Sequence, residues 1–507
     1  MSKILIGWAE ESLVPTKKIR LAGQFYERIS QFVESEITAT AMAVEADGDQ
    51  LIMVSADMTT IPVFLMNMVR RNFAALTDEV DPMKLTVSAT HTHTSHTIAS
   101  PESVSGTNLL TTKDILAEFM PPEKEYKPLV TADDSVIDPK EASIFVADKI
   151  AKAAYRAWKS RKKALYSNEF GRAAVGMCRR VSYDDETAEM WGDTNSANFV
   201  SMEGGNDSGV ELLYTFDENR KLTGVVANIA CPSQILEQRS FISADFWGRA
   251  KAIIREKLGE DVYLLALGGA GGDQCPRDLV RWVEPETPID DPQVIRTLPL
   301  RRKADPSMFD ISGCNRAGKR IANEIISVYE DISELKDEAK LEHKVMKLDL
   351  PLRKATKSEY EKSVREIEYY VQKNADKPVF DYTDNAKMYI YAGNILRYRR
   401  QQLEEIYTVE SHIIRFGNIA ICTNPFELFL DYGNRIKARS YAEQTFIVQL
   451  CCGRGGYLPT EKAEAAGHYS AYISSGNVGH EGGDLLVRET LKTINDMFEG
   501  EDIYVKR

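Results

Sequence analysis

Three of the seven histidines in this 507-residue chain, His91, His93 and His96, lie within six positions of one another. They follow residues 85–89, whose β-branched and apolar side chains predict a short buried strand. Because side chains alternate along an extended chain, His91 and His93 are expected to point to the same side. Two imidazoles just beyond a strand end are placed to hold a metal ion or to transfer a proton. The alternative is a polar loop whose histidines hydrogen-bond to the backbone.

A glycine-rich turn at residues 267–277, LGGAGGDQCPR, is the second candidate for chemistry. Glycines let the backbone approach a ligand closely and present amide N–H groups to an anion or an oxyanion. Gly271 and Gly272 are therefore candidate substrate contacts, and Asp273 and Cys275 are candidate catalytic groups. Cys275 would act as a nucleophile or as a thiol near a metal. No Gly-Lys-Ser/Thr follows, so the turn is not a phosphate-binding loop. The alternative is a tight β-turn with an inert thiol.

A carboxylate and two phenols in the C-terminal part form the third candidate group. Glu427 is predicted to follow a strand and to lie in the first turn of a helix over 425–440. A carboxylate there either complements the helix N-terminus or reaches into a site. Tyr457 and Tyr469 lie in glycine-flanked loops, each of which alone would more often be a plain turn.

Alternating strand and helix patterns must position these groups. A strand at 50–55, a helix over 62–76 and a strand at 85–89 indicate a crossover unit and at least a partly parallel sheet. The whole chain, 1–507, is predicted to be one α/β domain of layered mixed β-sheets flanked by helices. The charged helical region 351–407 is predicted to be a peripheral subdomain within it.

Two segments lack regular patterning. Residues 100–137 contain several prolines and are predicted to form a long surface excursion beside the histidines, as a lid would. Residues 284–306 are rich in proline and charge and are predicted to be a loop or an inserted segment.

Composition and charge restrict the partners. The net charge of −13 argues against nucleic acid or an anionic membrane as the main partner, since both need a basic face, and leaves a small-molecule substrate open. The apolar run at the start is too short for a signal peptide, and no other stretch approaches membrane-spanning length. Seven cysteines, an odd number, fit reduced thiols, so a cytoplasmic protein is predicted. A homo-oligomer stays open.

Taken in order along the chain, the motifs resemble the neutral/alkaline ceramidase family of zinc-dependent amidases. The resemblance includes an opening Gly-Trp-Ala-Glu, Thr-His-Thr-His, Asn-Ile-Ala-Cys-Pro-Ser-Gln, Ile-Ser-Ala-Asp-Phe, Gly-Gly-Asp-Gln-Cys-Pro, Asn-Pro-Phe-Glu-Leu-Phe and Gly-Tyr-Leu-Pro-Thr followed by Gly-His-Tyr. The histidine and glycine-rich motifs are fairly specific, and the shared order raises the match above any single piece. The immunoglobulin-like tail typical of the ceramidases proper is not expected in this chain.

The resemblance implies a zinc site assembled from distant parts of the chain. His91 corresponds to a zinc ligand, and Glu427 and Tyr469 to the acidic and phenolic ligands. His93 corresponds to a neighbour near the reacting carbonyl. Cys231 stands where the family has a second histidine ligand, and its thiolate could bind zinc with altered softness and charge. If Cys231 is instead a small buried residue, the metal is weakly bound, different or absent.

The same resemblance implies a metal-dependent, amidase-like hydrolase. Cys275 falls where the family usually has a serine facing the substrate. An acidic protein without an amphipathic anchor is poorly placed to meet a membrane lipid, so a soluble, polar small molecule is the expected substrate. The candidate substrate-binding residues are His96, Gln234, Gly271, Gly272, Arg277 and Tyr457.

A carbohydrate-active hydrolase on the same fold, with the metal lost or altered, is the alternative. It would use pairs of carboxylates for acid and base catalysis and aromatic side chains to stack on sugar rings. The candidate carboxylates are Glu203, Asp207, Asp245, Asp273 and Glu427. The candidate aromatic residues are Trp191, Trp247 and Tyr457.

Overall fold

The structure, a computed structural model, describes residues 2–102, 111–121, 133–280 and 310–500. The strands of these residues are β1 (Ser2–Lys3), β2 (Leu5–Ser12), β3 (Thr38–Ala46), β4 (Asp49–Ala56), β5 (Leu85–Ala89), β6 (Lys162–Arg172), β7 (Met177–Cys178), β8 (Arg180–Tyr183), β9 (Ala188–Met190), β10 (Phe199–Met202), β11 (Gly209–Asp217), β12 (Leu222–Ile229), β13 (Tyr263–Gly268), β14 (Gln274–Cys275), β15 (Glu338–Ala339), β16 (Leu341–Pro351), β17 (Ile406–Phe416), β18 (Ile419–Thr423), β19 (Phe426–Leu428), β20 (Gln444–Val448) and β21 (Gly456–Leu458). The helices are α1 (Val63–Ala74), α2 (Thr112–Phe119), α3 (Pro139–Lys159), α4 (Asp245–Leu258), α5 (Ile311–Glu330), α6 (Lys357–Lys373), α7 (Tyr382–Arg400), α8 (Leu430–Arg439), α9 (Glu461–Ala466) and α10 (His480–Met497).

Two sheets organise the molecule. The larger has eight strands in the order β13-β12-β11-β6-β2-β3-β4-β5, and the smaller has four in the order β16-β17-β18-β20. Most neighbours are antiparallel, but β4 and β5, β12 and β13, and β18 and β20 are parallel. The predicted mixed α/β architecture of layered sheets and flanking helices is confirmed.

The hydrophobic patterns explain the layers. All five residues of β5 are buried, as expected for a strand covered on both faces. In α3, Asp138 caps the first turn by accepting from the amide of Lys140 at 2.8 Å, and Pro139 fits the first helical position. Its apolar face packs on β2, β3 and β4. The helices α4 and α5 pack against each other, and their buried side chains share a core with those of β11, β12 and β13.

The larger sheet curves so that its two edges approach each other. β13 contacts β4 and β5, and Ser55 Oγ donates to the carbonyl oxygen of Ala266 at 2.5 Å. The carboxyl ends of β5 and β13 therefore lie together. This curvature brings the histidine segment and the glycine-rich turn, far apart in sequence, to the same end of the molecule.

Two predicted boundaries are wrong. The predicted helix over 425–440 begins only at Leu430, because Phe426–Leu428 pairs in parallel with Gly456–Leu458 as β19 and β21. The second helix of the charged helical region, which the sequence pattern predicts over 385–406, ends at Arg400, and Ile406 starts β17. Glu427 therefore lies in a short strand and not in the first turn of a helix.

The two segments predicted to be irregular lie largely outside the described residues. Of 100–137, residues 103–110 and 122–132 are outside them, while Thr112–Phe119 forms α2 and packs against α7. The segment 284–306 lies wholly outside the described residues. The single-domain prediction and the subdomain boundary at 351–407 stay predictions.

Candidate active site

Residues from both ends of the chain converge on one cavity of about 490 Å³. Its lining includes His91, His93, Glu427, Tyr457 and Tyr469. The loop after β5 supplies the two imidazoles, β19 supplies the carboxylate, and β21 and the loop after α9 supply the two phenols. The cavity thus combines the first and third groups of residues that the sequence singled out.

His91 is held in one orientation by the backbone around it. Its own backbone is left-handed, with φ of +68°, and its amide donates to the carbonyl of Met58 at 2.9 Å. Its Nδ1 lies 2.7 Å from the carbonyl oxygen of Thr59. A carbonyl can only accept, so Nδ1 carries the proton and Nε2 is left for another partner. A left-handed non-glycine residue at such a position is typical of a functional site.

The partner of His91 Nε2 is Glu427, whose Oε2 lies 3.4 Å away. Burial alone would raise the pKa of Glu427, but His91, Arg179 and a hydrogen bond from Tyr457 lower it to about 2. The carboxyl is therefore ionised at neutral pH. An ionised carboxylate facing a lone pair on Nε2 would be repulsive, so this pair requires a proton or a metal ion between its two atoms.

The two phenols lie on the same side of the cavity as Glu427. Tyr457 is the register partner of Glu427 in the β19–β21 pair, and its ring centroid is 5.5 Å from that of Tyr469. Burial, followed by the Glu427 carboxylate, raises the pKa of Tyr457. The same two causes raise the pKa of Tyr469 to about 12. Both phenols are protonated and can donate at neutral pH, and Tyr457 is the one that lies beside Glu427 in the strand pair.

His93 belongs to a charged group that the sequence did not predict. Its Nδ1 lies 3.3 Å from Oε2 of Glu237, and Oε1 of Glu237 lies 3.5 Å from Nη2 of Arg277. Burial alone would raise the pKa of Glu237, but His93, Arg277 and Arg179 lower it to about 2. Burial lowers the pKa of His93. His93 is thus a neutral imidazole beside an ionised carboxylate. Neither of its ring nitrogens makes a well-aligned hydrogen bond among the described residues, and Nδ1 is the one that lies near Glu237.

Arg179 is a second contributor that the sequence did not predict. It is buried, and its Nη2 donates to the carbonyl of Gly272 at 2.8 Å and to the hydroxyl of Tyr457 at 3.3 Å. Burial alone would lower the pKa of Arg179, but Tyr457, Cys275, Glu427 and Tyr469 raise it. Its cation helps keep Glu427 ionised. No recognisable motif surrounds Arg179 or Glu237, so spacing alone could not have found them.

The glycine-rich turn packs closely against other backbone segments. The amide of Gly269 donates to Ile229 O at 2.7 Å, and that of Gly272 donates to Leu428 O at 2.8 Å. The amide of Gly271 donates to the side chain of Gln449 at 3.1 Å. A Cβ on Gly272 would collide with the backbone of β19. These amides therefore do not form the oxyanion cradle that the sequence predicted, and the glycines instead let the turn approach the strand that carries the acidic group.

The two predicted catalytic groups of this turn lie in its interior. Cys275 is fully buried, its backbone pairs with Met177, and burial raises the pKa of its thiol to about 12. Asp273 Oδ1 accepts from the amide of Leu430 at 2.9 Å, at the start of α8, and burial raises its pKa. Neither is among the residues that line the cavity. A protonated, fully buried thiol is not poised for attack, and the catalytic roles of both residues stay predictions.

Cys231, predicted to replace a histidine ligand, is also buried, and burial raises the pKa of its thiol well above the ordinary value. It does not line the cavity, and neither does Gln234. His96 does line it, but its Nε2 is bonded to Leu13 O at 2.7 Å, and burial lowers its pKa to about 4. Metal binding by Cys231 stays a prediction.

Comparison with known proteins addresses the fold. No protein-family model matches the sequence, and a search of the curated proteins found no match. Among solved structures, neutral ceramidase from Pseudomonas aeruginosa superposes with a TM-score of 0.66 at 15% identity, over 100% of this chain and 78% of that chain. A ceramidase complexed with C2 superposes with a TM-score of 0.63 at 13% identity, over 98% of this chain and 76% of that chain. The chain has a ceramidase-like fold. The resemblance inferred from the motifs is thereby supported at the level of the fold.

On this ceramidase-like fold, the helical region adds a wall to the cavity. Tyr389 of α7 is among the lining residues, as are Ser474 and Ser475. Gly393 of α7 packs on Ser474 so closely that a Cβ would collide with it. Arg397 donates to the carbonyl of Gly476 at 2.7 Å. Helix α7 of the helical region therefore contributes to the wall of the site. Within the described part of the chain, no helix is both long and apolar enough to cross a bilayer.

Proposed function

We propose that the protein is a zinc-dependent hydrolase that cleaves an amide or a related linkage in a polar small molecule. The observation that carries the proposal is the approach of His91 Nε2 and Glu427 Oε2 to 3.4 Å across the cavity. The His91–Glu427 pair needs a proton or a metal ion between its two atoms. The resemblance of the sequence motifs to the ceramidase family implies that this ion is zinc.

The residues present fit a metal ion. A metal-binding histidine usually donates its other ring N–H to a carbonyl or a carboxylate, as His91 does to Thr59. One imidazole, one ionised carboxylate and a nearby phenol offer the nitrogen and oxygen donors that suit zinc. His91 and Glu427 would hold the ion, with Tyr469 and Cys231 as the further predicted ligands. A bound zinc supplies polarisation of the scissile carbonyl and acidifies a water molecule.

The protein's own groups provide for proton transfer. A proton on Nδ1 of His93, which lies 3.3 Å from the Glu237 carboxylate, would leave the lone pair on Nε2, where it can take a proton from attacking water. The ionised Glu237 stabilises the imidazolium that results. That imidazolium can then donate to the leaving nitrogen, as in other acid–base pairs built from histidine and a carboxylate. The cations of Arg277 and Arg179 keep Glu237 ionised.

The cavity supports a polar substrate of moderate size. Its volume of about 490 Å³ is in the usual range for small-molecule sites. Side chains that can form hydrogen bonds occur around its wall. They include Gln24, Thr59, Thr60, Arg454, Ser474 and Ser475. The net charge of −13 disfavours an anionic membrane as the place where the substrate is met.

A glycoside hydrolase has less support, because the carboxylates on which it depends are in structural contacts. Glu203 accepts two hydrogen bonds from buried Arg180, at 2.5 and 3.0 Å. Asp245 accepts the amide of Leu236 at 2.8 Å, and Asp273 caps α8. Neither Glu203, Asp245 nor Asp273 lines the cavity, and Glu427 is paired with His91.

The test is an activity screen against N-acyl compounds and glycosides, run with chelator and with added zinc. We expect zinc to stimulate the release of an amine from an N-acyl compound. This activity should be lost in His91→Ala and retained in His480→Gln. His480 is a suitable control because it is partly exposed and pairs with Glu464 outside the cavity. Zinc-independent cleavage of a glycoside that survives His91→Ala would contradict the proposal.

A further inference from the structure

A second set of metal-binding side chains lies outside the cavity. Glu410, His412 and Cys452 each offer one ligand atom, and these atoms all lie within 4.8 Å of one another. Among the described residues, this is the one group of three or more His, Cys, Asp or Glu side chains with that geometry. None of the three lines the cavity. The proposed hydrolase therefore leaves this cluster unexplained.

The cluster lies where the two main sheets meet. Glu410 and His412 are two positions apart on β17, so their side chains leave the strand on the same side. Cys452 follows β20, and its amide donates to Val87 O of β5 at 3.0 Å. Cys452 has a left-handed backbone, with φ of +55°. Strand β17 of the smaller sheet thus meets Cys452, whose backbone is held against β5 of the larger sheet.

The hydrogen bonds around His412 fix its protons. His343 Nδ1 lies 3.2 Å from Gln50 O, which can only accept, so Nδ1 is protonated and His343 Nε2 is an acceptor. Burial lowers the pKa of His343 to about 3, which keeps it neutral. His343 Nε2 lies 2.8 Å from His412 Nδ1, so His412 donates from Nδ1. His412 Nε2, 2.8 Å from Glu410 Oε1, must then carry either a second proton or a metal ion.

The surrounding charges favour a cation at this point. Arg70 donates to both oxygens of Glu410, at 2.9 and 2.7 Å, and each oxygen keeps a further lone pair. Burial alone would raise the pKa of the Cys452 thiol, but Cys451, His412 and Arg70 lower it. The thiolate is the form that binds metals. A carboxylate and a thiolate exceed the one guanidinium by one negative charge, which either the second proton on His412 or a metal ion at its Nε2 balances.

We propose that Glu410, His412 and Cys452 bind a thiolate-preferring divalent ion of the zinc class. The ion takes the place of the second proton on His412, which is released when the metal binds. One thiolate, one imidazole and one carboxylate form a donor set that suits zinc, and His343 is the outer partner that fixes the ligand imidazole. The fourth position falls to water or to Cys451, whose Sγ lies 3.6 Å from that of Cys452. The ion would link β17 of the smaller sheet to Cys452, which is hydrogen-bonded to β5. This inference does not rest on the proposed hydrolase activity.

The test loads the full chain, purified under reducing conditions without a chelator, with cobalt(II) as a spectroscopic probe. A thiolate-to-cobalt absorption band in the near ultraviolet is expected in the wild type. It should be clearly weaker in Cys452→Ser and in His412→Gln and unchanged in Cys314→Ser, a buried cysteine of α5. A band of equal strength in Cys452→Ser and in the wild type would overturn the proposal.

A second variant keeps the proposal testable if the cluster variants do not fold. His91→Ala combined with Cys231→Ser removes two predicted ligands of the active site and leaves the cluster untouched. This variant should still bind one cobalt ion with the thiolate band, whether or not the active site binds metal. Failure of this folded variant to bind cobalt would overturn the second site, whereas loss of zinc at His91 alone bears only on the hydrolase.

Discussion

Nδ1 of His93 lies 3.3 Å from Oε2 of Glu237, which joins a histidine of the motif after β5 to a carboxylate outside every recognisable motif. A negative charge at this distance favours the tautomer with the proton on Nδ1, which leaves Nε2 free to act. The pair therefore provides a neutral base inside a cavity that also contains an ionised carboxylate and two protonated phenols.

We expect Glu237→Gln to lower kcat by about 10- to 100-fold, the cost typical of losing a partner that orients a functional histidine. The amide can neither stabilise the imidazolium nor hold Nδ1 as a carboxylate does. Turnover, KM and the pH profile check this. Glu34→Gln, which breaks an ion pair with Arg249 away from the cavity, is the control. An unchanged kcat in Glu237→Gln would show that His93 acts without its neighbour.

Gly23 is expected to be required for the position of His93. Its φ is +94°, and a Cβ would collide with the His93 ring. Gly23→Ala should therefore reduce activity strongly. Gly48→Ala is the matched control, because Gly48 has φ of +80° and no atom within 4 Å of its added Cβ. Both variants should lose roughly 1–2 kcal/mol of stability from the left-handed backbone. Gly23→Ala should lose more because of the collision, and it alone should lose turnover. Equal activity in the two would contradict the expectation.

Tyr389 should influence substrate affinity more than the chemical step. It reaches the cavity from α7, and its ring centroid is 5.9 Å from that of Phe25. Removing this part of the cavity wall is expected to raise KM and leave kcat nearly unchanged, because Tyr389 is not one of the groups proposed to move a proton. Steady-state kinetics of Tyr389→Ala, beside Tyr369→Ala on the exposed face of α6, make the comparison. A fall in kcat with constant KM would assign Tyr389 a different role.

The sequence predicted the regular elements well and the site in part. The all-buried strand β5, predicted over 85–89, and helix α6, which the pattern predicts over 357–373, have the predicted limits, because local patterning decides them. The approach of Glu427 to His91 was implied by a family resemblance but could not be derived from spacing, since it depends on the curvature of a sheet. Glu427 was wrongly predicted to lie in a helix. It lies in a strand because β19 pairs with β21, and such a contact between separate segments cannot be seen in the local sequence pattern.

The charged residues of the site were harder to predict. Glu237 and Arg179 are recognisable only from their burial and their partners, which a sequence does not show. The glycine-rich turn was expected to bind an anion, but its amides are used in packing against β12 and β19. The same glycine pattern serves both purposes, and only the hydrogen-bond partners distinguish them.

Acid should destabilise the protein through its buried carboxylates. Burial alone would raise the pKa of Glu10, but Lys251 and Arg255 lower it to about 2, below an unfolded value near 4.3. A carboxyl with a lowered folded pKa adds stability that is complete above the unfolded pKa and is lost as pH falls towards the folded pKa. Urea unfolding at several pH values should show this loss. Glu10→Gln should be less stable at neutral pH and should show a weaker pH dependence. An identical pH dependence in the variant would exclude Glu10 as a contributor.

The central claim is that His91 and Glu427 share a metal ion. Diffraction from crystals grown with zinc, recorded on either side of the zinc absorption edge, tests it most directly. An anomalous peak is expected at bonding distance from both His91 Nε2 and Glu427 Oε2, and it should be absent in crystals of His91→Ala. Zinc at Glu410, His412 and Cys452 with no peak between His91 and Glu427 would contradict it.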